Sequence, residues 1–197
     1  MNPLYPIFLK AHQLPMLIVG AGHVGYEKLF FILKNSPQAR IIMVAPEIRP
    51  EIRSLLIGRT HQVTLIKRPF QLYDLHNKRL VIVATNNPDL NKYIWQAAKT
   101  EGVLVNVADT PRLCDFYLGS IVTRGNLKVA ISTNGKSPTF AKRFRQLLEA
   151  ALPEEVDELL DQLNAYRQTL EGDFEAKVHA LNELTASLLA GEPALQS

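Results

Sequence analysis

Residues 14–25 have the sequence Leu-Pro-Met-Leu-Ile-Val-Gly-Ala-Gly-His-Val-Gly, in which a short apolar stretch leads directly into three glycines. The apolar part, residues 14–19, is typical of a strand that is buried on both faces. The glycines follow the pattern Gly20-x-Gly22-x-x-Gly25, and apolar residues at helical spacing come next. A strand, this glycine pattern and a helix in succession predict the phosphate-binding turn of a Rossmann-like fold. The alternative is a glycine turn in an α/β fold without a cofactor.

The three glycines have separate physical roles in such a turn. Gly20 permits the tight turn, Gly22 lets the backbone approach a pyrophosphate, and Gly25 lets the helix pack closely against the strand. The N–H groups and the partial positive charge at the helix N-terminus would then bind the phosphates. We therefore predict a nucleotide site at these three glycines.

Strands and helical patterns alternate through residue 107. Further strands are predicted at 41–45, 63–66, 80–84 and 103–107, and helices at 26–35, 47–56 and 88–101. Asn87-Pro88 is a cap residue followed by proline at the first helical position, which is a typical helix start. This alternation predicts βαβ units and a mostly parallel sheet.

The pattern changes after Asp109, where two strands follow each other. Segments 116–123 and 127–133 flank a link that contains Gly125, which predicts a β-hairpin. Three helices are predicted after it: a basic helix from Ser137-Pro138 to about Leu152, a helix that starts at Pro153, and a helix capped by Asp173 that extends to Leu188. The tail from Gly191 is expected to fray.

The composition excludes several classes of protein. The chain has 197 residues, 47% of them apolar and 21% charged, which is typical of a globular protein of one domain plus a smaller appendage. No apolar stretch approaches the ~20 residues of a membrane helix. No basic cluster precedes the first apolar stretch, so we expect no signal peptide and a cytoplasmic protein. A single cysteine, Cys114, excludes an internal disulfide or a cysteine-based zinc site.

Charge is distributed unevenly along the chain. Residues from 153 onward carry a net charge of −8, so the first 152 carry +11, and residues 112–145 contain seven bases and one acid. A basic surface suits an anionic ligand, either nucleic acid or a polycarboxylate. The alternative is a solvated basic face, or one that pairs with the acidic C-terminal part. The chain lacks a recognisable nucleic-acid-reading helix, so we predict no nucleic-acid partner.

Polar residues follow the fourth and fifth predicted strands. Thr85 and Asn86 come after the fourth, and Asp109 comes after the fifth. Open parallel sheets bind ligands beyond the carboxyl ends of their strands, so these side chains are expected to face the cofactor. Asp109 could accept a proton or bind a metal there. The alternative is an aspartate that shapes the turn before Pro111.

The end of the second predicted strand leaves the choice between NAD and NADP open. It has the sequence Ala45-Pro46-Glu47, without the acid expected ~20 residues after the glycines. Glu47 lies slightly further along the chain than the position from which an acid usually bonds to the ribose. Arg49 and Arg53 would instead favour a 2′-phosphate.

A second polar loop, residues 132–138, leads into the basic helix. It contains a glycine together with Lys136 and Ser137, and it could bind an anionic group or simply cap the helix. The histidines have no spacing that indicates a metal site.

Several segments in the same order resemble the precorrin-2 dehydrogenase family, of the siroheme synthase N-terminal type. They are residues 5–9, 20–25 with 44–46, 84–87, and 106–111 followed by 120–121 and 131–138. The likeness extends over roughly residues 3–152. Its most specific part is Asn106-Val-x-Asp109-x-Pro111.

The resemblance implies oxidation of precorrin-2 to sirohydrochlorin with NAD, and in some members also Fe²⁺ insertion into sirohydrochlorin. The family's conserved aspartate falls on Asp109. Its cofactor contacts fall on His23 and Val24 in the glycine turn and on Ala45 and Pro46 after the second strand. The family also lacks the usual ribose acid.

The resemblance further implies a homodimer and three regions: an NAD-binding Rossmann domain at 1–112, a dimerisation region at 113–152 and a small helical domain at 153–197. The substrate carries eight carboxylates, and Arg112, Lys136 and Ser137 are the residues predicted to bind it. No membrane partner and no resident metal are predicted.

The chain departs from the family at several places, among them Thr133, where serine is common. The turn has Gly-Ala-Gly where Gly-Gly-Gly is usual, and Asn86 and Asn87 replace two acids. The lost acids bear on iron insertion more than on dehydrogenation. Fused members continue into a methyltransferase domain, so methylation is expected from another protein. The alternative function is a non-catalytic NAD-binding regulatory module.

Overall fold

The computed structural model describes residues 2–58 and 62–186. Its strands are β1 Met16–Val19, β2 Ile41–Ala45, β3 Val63–Lys67, β4 Leu80–Val83, β5 Leu104–Val107, β6 Ser120–Arg124 and β7 Leu127–Ile131. Its helices are α1 His23–Asn35, α2 Pro50–Leu55, α3 Pro88–Thr100, α4 Pro138–Ala151, α5 Val156–Thr169 and α6 Phe174–Leu184. The predicted residue Leu188 and the tail from Gly191 lie outside the described ranges.

Two compact units divide the chain. The first contains residues up to 120 together with 132–141, and the second contains 121–131 and the residues from 142 onward. The first unit includes the whole parallel sheet. None of the helices within the described ranges is long and apolar enough to cross a membrane.

The sheet of the first unit has the strand order β3-β2-β1-β4-β5, and each neighbouring pair is parallel. Ile18 lies opposite Met43 on one side and Ile82 on the other. The order reverses between β1 and β4, since the chain first extends the sheet to one side and then returns to the other. This topology and the predicted α/β Rossmann-like class agree, so the predicted fold class is confirmed.

Side chains that alternate along the strands form two separate cores. On one face Ile18 is fully buried with Leu29 and Leu33 of α1 and Ile52 of α2. On the opposite face the fully buried residues come from alternate strand positions and from α3, and include Leu17, Val83, Ile94 and Val105. Each large aliphatic side chain buried in this way contributes about 1.5–3 kcal/mol to the free energy of unfolding. The continuous apolar strands are therefore explained by burial on both faces.

The predicted helix starts are confirmed by their hydrogen bonds. The Asn87 side-chain oxygen accepts bonds from the N–H groups of Asp89 and Leu90, both at 3.0 Å, and Pro88 occupies the first helical position. The hydroxyl of Ser137 accepts from the N–H of Phe140 at 3.1 Å. The carboxylate of Asp173 accepts from Ala176 at 2.9 Å. A side-chain cap of this kind is worth about 1 kcal/mol.

Some helix boundaries differ from the sequence prediction. Helix α1 begins at His23 and not at residue 26, with Gly22 in extended conformation as its N-cap. Helix α2 begins at Pro50, where the fixed φ of proline suits the first position of a helix. Helix α5 begins at Val156, after a turn at residues 154–155.

The second unit contains the hairpin of β6 and β7, whose link is Gly125-Asn126. Asp157 of α5 accepts hydrogen bonds from the backbone N–H of Asn126 at 2.6 Å and from its side-chain amide at 2.9 Å. Arg124 donates to the carbonyl of Glu149 in α4 at 2.7 Å. At least one carboxylate of the acidic C-terminal part therefore fixes a turn.

We predict that Gly25→Ala destabilises the protein and that Gly22→Ala does not. A Cβ on Gly25 would overlap with the carbonyl of Gly20, whereas a Cβ on Gly22 would meet no atom within 4 Å. Overpacking at Gly25 should lower the free energy of unfolding by about 1–3 kcal/mol. The control variant at Gly22 should change it by less than about 1 kcal/mol. Urea unfolding followed by circular dichroism measures both, and equal stabilities would contradict the close helix–strand packing.

Candidate active site

The carboxyl edge of the sheet brings the predicted site segments together. Beyond the strands, the N–H of Gly20 donates to Val44 at 2.9 Å, that of Ala84 donates to Val19 at 2.8 Å, and that of Ala108 donates to Val83 at 2.9 Å. These bonds extend the parallel ladder by one residue after β1, β4 and β5. The strand order reverses between β1 and β4, and such a switch point is where open α/β sheets bind ligands.

The turn after β1 requires glycine at its first position. Gly20 has a φ of +104°, and a Cβ there would overlap with the carbonyl of Ala84 after β4. The loop after β2 is fixed to the same turn, because the N–H of Arg49 donates to the carbonyl of Ala21 at 3.3 Å. Segments after three different strands are thus joined at the backbone level.

The N-terminus of α1 suits an anionic group. Its N-cap is Gly22, which has no side chain to satisfy the first N–H groups, and the first turn contains no acid. The space beside the Cα of Gly22 is open, since a Cβ at this position would meet no atom within 4 Å. Free N–H groups and the helix dipole at such a terminus bind phosphates. These features fit a dinucleotide whose pyrophosphate lies over Gly22, with exposed His23 and half-buried Val24 in the first turn.

The loop after β2 contains an ion pair that sequence analysis missed. Ala45 is buried, Pro46 is exposed, and next along the chain Arg49 donates two hydrogen bonds to Glu51, at 2.6 and 3.2 Å. The hydrogen bond from Arg49 lowers the pKa of Glu51 to about 2, and the charge of His23 acts in the same direction. Opposite charges on either side of Pro50 were the signal in the sequence.

The turn after β4 is held by side-chain hydrogen bonds. The hydroxyl of Thr85 donates to the side-chain oxygen of Asn91 at 2.5 Å, and the Asn91 amide donates to the Thr85 carbonyl at 3.1 Å. Asn86, next in the chain, is exposed. Thr85 therefore shapes the turn, while Asn86 is accessible to a ligand.

Asp109 lies one residue beyond the ladder bond of Ala108 and adopts a left-handed conformation with a φ of +57°. Aspartate and asparagine tolerate this region better than other non-glycine residues. Its side chain is exposed, and no residue in the described ranges is hydrogen-bonded to it. A turn-shaping aspartate usually accepts from the N–H two residues later, but that residue is Pro111, which has none. The backbone of Asp109 thus has a structural role in the turn, and its carboxylate is available to contact a ligand.

The segment after Asp109 folds back along β5. The buried side chain of Asn106 donates to the carbonyl of Phe116 at 2.8 Å, and Asp115 accepts from the N–H of Val105 at 3.0 Å and pairs with Lys99. Sequence analysis did not predict that Asn106 holds this loop, because its partner is a backbone atom ten residues away.

Cys114 is half-buried, as expected. Its thiol donates to the carbonyl of Val107 at 3.2 Å. Burial raises the pKa of the thiol. A thiol of this kind is a poor nucleophile. Within the described ranges, no group of three or more potential metal-ligating residues is present.

The residues predicted to bind substrate have mixed environments. Arg112 and Lys136 are exposed. Ser137 is half-buried and caps α4, and its own N–H donates to the hydroxyl of Thr133 at 3.1 Å. The capping role therefore accounts for the contacts of Ser137, and a substrate contact for the three residues stays a prediction.

Comparison with known proteins identifies the class. Residues 7–120 match the family model described as "Putative NAD(P)-binding", and residues 124–151 match the model described as "Sirohaem biosynthesis protein central". The first match covers more than half of the chain, so the chain belongs to this NAD(P)-binding family.

Individual relatives are named siroheme synthase. The siroheme synthase of Pseudoalteromonas atlantica is 38% identical over 170 residues, which cover 86% of this chain and 36% of that protein. The siroheme synthase of Vesicomyosocius okutanii is 32% identical over 188 residues, which cover 94% of this chain and 40% of that protein. The chain thus spans well under half of the length of these relatives.

A solved structure agrees over nearly the whole chain. The fold is similar to that of "SirC, precorrin-2 dehydrogenase", with a TM-score of 0.71 and 26% identity, over 92% of this chain and 89% of that one. The family resemblance inferred from the sequence motifs is therefore confirmed.

We predict that Gly22→Val strongly weakens dinucleotide binding without unfolding the protein. Gly22 has an extended backbone and open surroundings, so valine fits the free protein. Its branched side chain would fill the space that the pyrophosphate needs. Calorimetric titration with NAD should show at least about a hundredfold weaker binding, since the loss of phosphate contacts costs several kcal/mol.

The matched control is Gly102→Val, at another glycine with open surroundings, which lies between α3 and β5 and so at the amino edge of the sheet. It should bind NAD like the unmodified protein, although its φ of +66° makes some loss of stability expected. Normal NAD binding by a folded Gly22→Val protein would contradict the assigned site.

Proposed function

We propose that this chain oxidises precorrin-2 to sirohydrochlorin, with NAD as the hydride acceptor. The observation that carries the proposal is the free carboxylate of Asp109, which follows β5 at the sheet edge where the glycine turn and the uncapped α1 terminus suit a dinucleotide. The likeness to a precorrin-2 dehydrogenase over most of both chains supports it.

The reaction removes a hydride and a proton from the macrocycle and extends its conjugation. Bound NAD supplies the hydride acceptor. Asp109 takes the proton, because an exposed carboxylate without a hydrogen-bond partner in the described ranges can accept one. The left-handed turn at Asp109 is closed by the bond from the N–H of Thr110 to the carbonyl of Val107 at 3.2 Å, which holds the Cα of Asp109 at the sheet edge.

The charge distribution supports a polycarboxylate substrate. Precorrin-2 carries eight carboxylates, and residues 112–145 hold seven bases against one acid. Arg112 and Lys136 are exposed on the same unit as the glycine turn. We assign these two residues, with Ser137, to substrate binding through charge and hydrogen bonds.

Insertion of Fe²⁺ into sirohydrochlorin is a second candidate activity. The observation that favours it is again Asp109, since the same carboxylate could accept the pyrrole protons that the entering metal displaces. The iron is then a substrate. An absorbance assay with sirohydrochlorin and Fe²⁺ or Co²⁺ tests it independently of NAD.

We also propose that the chain forms a homodimer through the region around α4. This helix exposes Phe140, Phe144 and Leu147 at the spacing of a single helix face. Exposed apolar faces of this kind mark interaction sites, and two-fold symmetric dimers are the commonest soluble oligomers.

We predict that Asp109→Asn lowers the rate of precorrin-2 oxidation by about 10²–10⁴-fold while NAD binding and stability stay unchanged. Asparagine tolerates the left-handed conformation but cannot take a proton. Absorbance of sirohydrochlorin measures the rate, and calorimetry measures NAD binding. Asp109→Ala is a poorer test, because alanine at this φ adds strain of about 1–2 kcal/mol.

Three outcomes separate the alternatives for Asp109. A folded Asp109→Asn protein with nearly normal turnover would contradict the catalytic assignment and leave the turn-shaping role. An unmodified protein that binds NAD but does not oxidise precorrin-2 would support a regulatory module. Loss of iron insertion together with oxidation would indicate one shared carboxylate.

We predict a dimer of twice 22.1 kDa in sedimentation velocity at micromolar concentration. The double substitution Phe144→Glu and Leu147→Glu should convert it to monomer, because two charges in an apolar interface are costly to bury. Gln146→Glu is the control, an exposed position on the same helix. A monomeric unmodified protein would contradict the proposal.

A further inference from the structure

The ion pair of Arg49 and Glu51 lies beside the expected position of the adenosine ribose. In dinucleotide-binding folds this ribose lies at the carboxyl end of β2, where an acid commonly accepts a hydrogen bond from the 2′-hydroxyl. Here β2 ends at Ala45 and Pro46 follows it, and neither side chain has an oxygen that could accept this bond. The N–H of Arg49 is bonded to Ala21 inside the glycine turn, so the pair is anchored to the cofactor loop.

Glu51, in the first turn of α2, is the acid that follows this loop in place of the missing one. Its carboxylate receives two bonds from the guanidinium of Arg49, at 2.6 and 3.2 Å. His23, in the first turn of α1, is near enough to influence its charge. Glu51 is therefore ionised at neutral pH, and the backbone bond from Arg49 to Ala21 ties its segment to the glycine turn.

We propose that Glu51, oriented by Arg49, makes this site select NAD over NADP. The proposal rests on the dinucleotide site assigned above and concerns which dinucleotide that site accepts. An ionised carboxylate accepts a hydrogen bond from a 2′-hydroxyl and repels a 2′-phosphate. Glu51 also pairs with the guanidinium of Arg49, whose N–H donors would otherwise bind that phosphate.

The pair is well suited to selectivity and contributes little to stability. The side chains of Arg49 and Glu51 are 40% and 51% exposed. Exposed ion pairs contribute little to folding. Removing the carboxylate should leave the fold intact and release a guanidinium for the 2′-phosphate.

The experiment measures the affinities of NAD and NADP by calorimetry for the unmodified protein, Glu51→Gln and the double variant Glu51→Gln/Arg49→Gln. The unmodified protein should bind NAD about tenfold or more tightly than NADP. Glu51→Gln should reduce that ratio by about tenfold, through tighter binding of NADP. The double variant should lose the gain in NADP binding, because the gain depends on the released guanidinium.

Two single variants make the test specific. Glu149→Gln removes an acid from a comparable ion pair, with Arg145 at 2.5 Å in the second unit, and should leave the ratio unchanged. Glu47→Gln examines the other acid of the loop. A ratio that Glu47→Gln shifts and Glu51→Gln does not would overturn the proposal.

Further results also overturn it. Equal affinities for NAD and NADP in the unmodified protein would do so, as would a Glu51→Gln protein with an unchanged ratio. These outcomes leave the dinucleotide site intact, whereas binding of neither nucleotide by the unmodified protein would contradict the proposed function as well.

Discussion

The contact between the glycine turn and the strand beside it constrains the rest of the first unit. A Cβ on Gly20 would overlap with the Ala84 carbonyl, and a Cβ on Gly25 would overlap with the Gly20 carbonyl. Because both neighbours are backbone atoms, they cannot move away as a flexible side chain could. Helix α1 can therefore start close to β1, with its N-terminus at the point where the strand order reverses. The geometry that we propose for phosphate binding follows from this packing.

Much of the fold could be predicted because its signals are local. Apolar strands, the Asn87-Pro88 and Ser137-Pro138 helix starts and the Asp173 cap all depend on neighbours within a few residues. The remaining features depend on partners far apart in the chain. Asn106 is bonded to the carbonyl of Phe116, and Asp157 to the hairpin turn 31 residues earlier. Composition and periodicity contain no information about such pairs.

The site was predictable to a similar extent. The glycine turn and the strand-end positions follow from the rule that parallel sheets bind ligands at their carboxyl ends. Glu51 was missed because its importance comes from the bond between Arg49 and Ala21, which brings the loop after β2 to the glycine turn. The left-handed φ of Asp109 was also not evident. This φ changes the interpretation of Asp109. Comparing the Asp109→Asn and Asp109→Ala variants can now separate its conformational role from its chemical role.

The two asparagines that replace acids after β4 have different consequences. The Asn87 side-chain oxygen accepts the N–H groups of Asp89 and Leu90, a capping function that aspartate and asparagine perform equally well. This departure is therefore structurally neutral. Asn86, like Asn87, is exposed, so either replacement removes a charge that a ligand could meet. Within segments 84–87 and 106–111, Asp109 is then the one carboxylate at the sheet edge. Proton removal in oxidation and in iron insertion would both depend on it, and neutralising that single group should affect both reactions together.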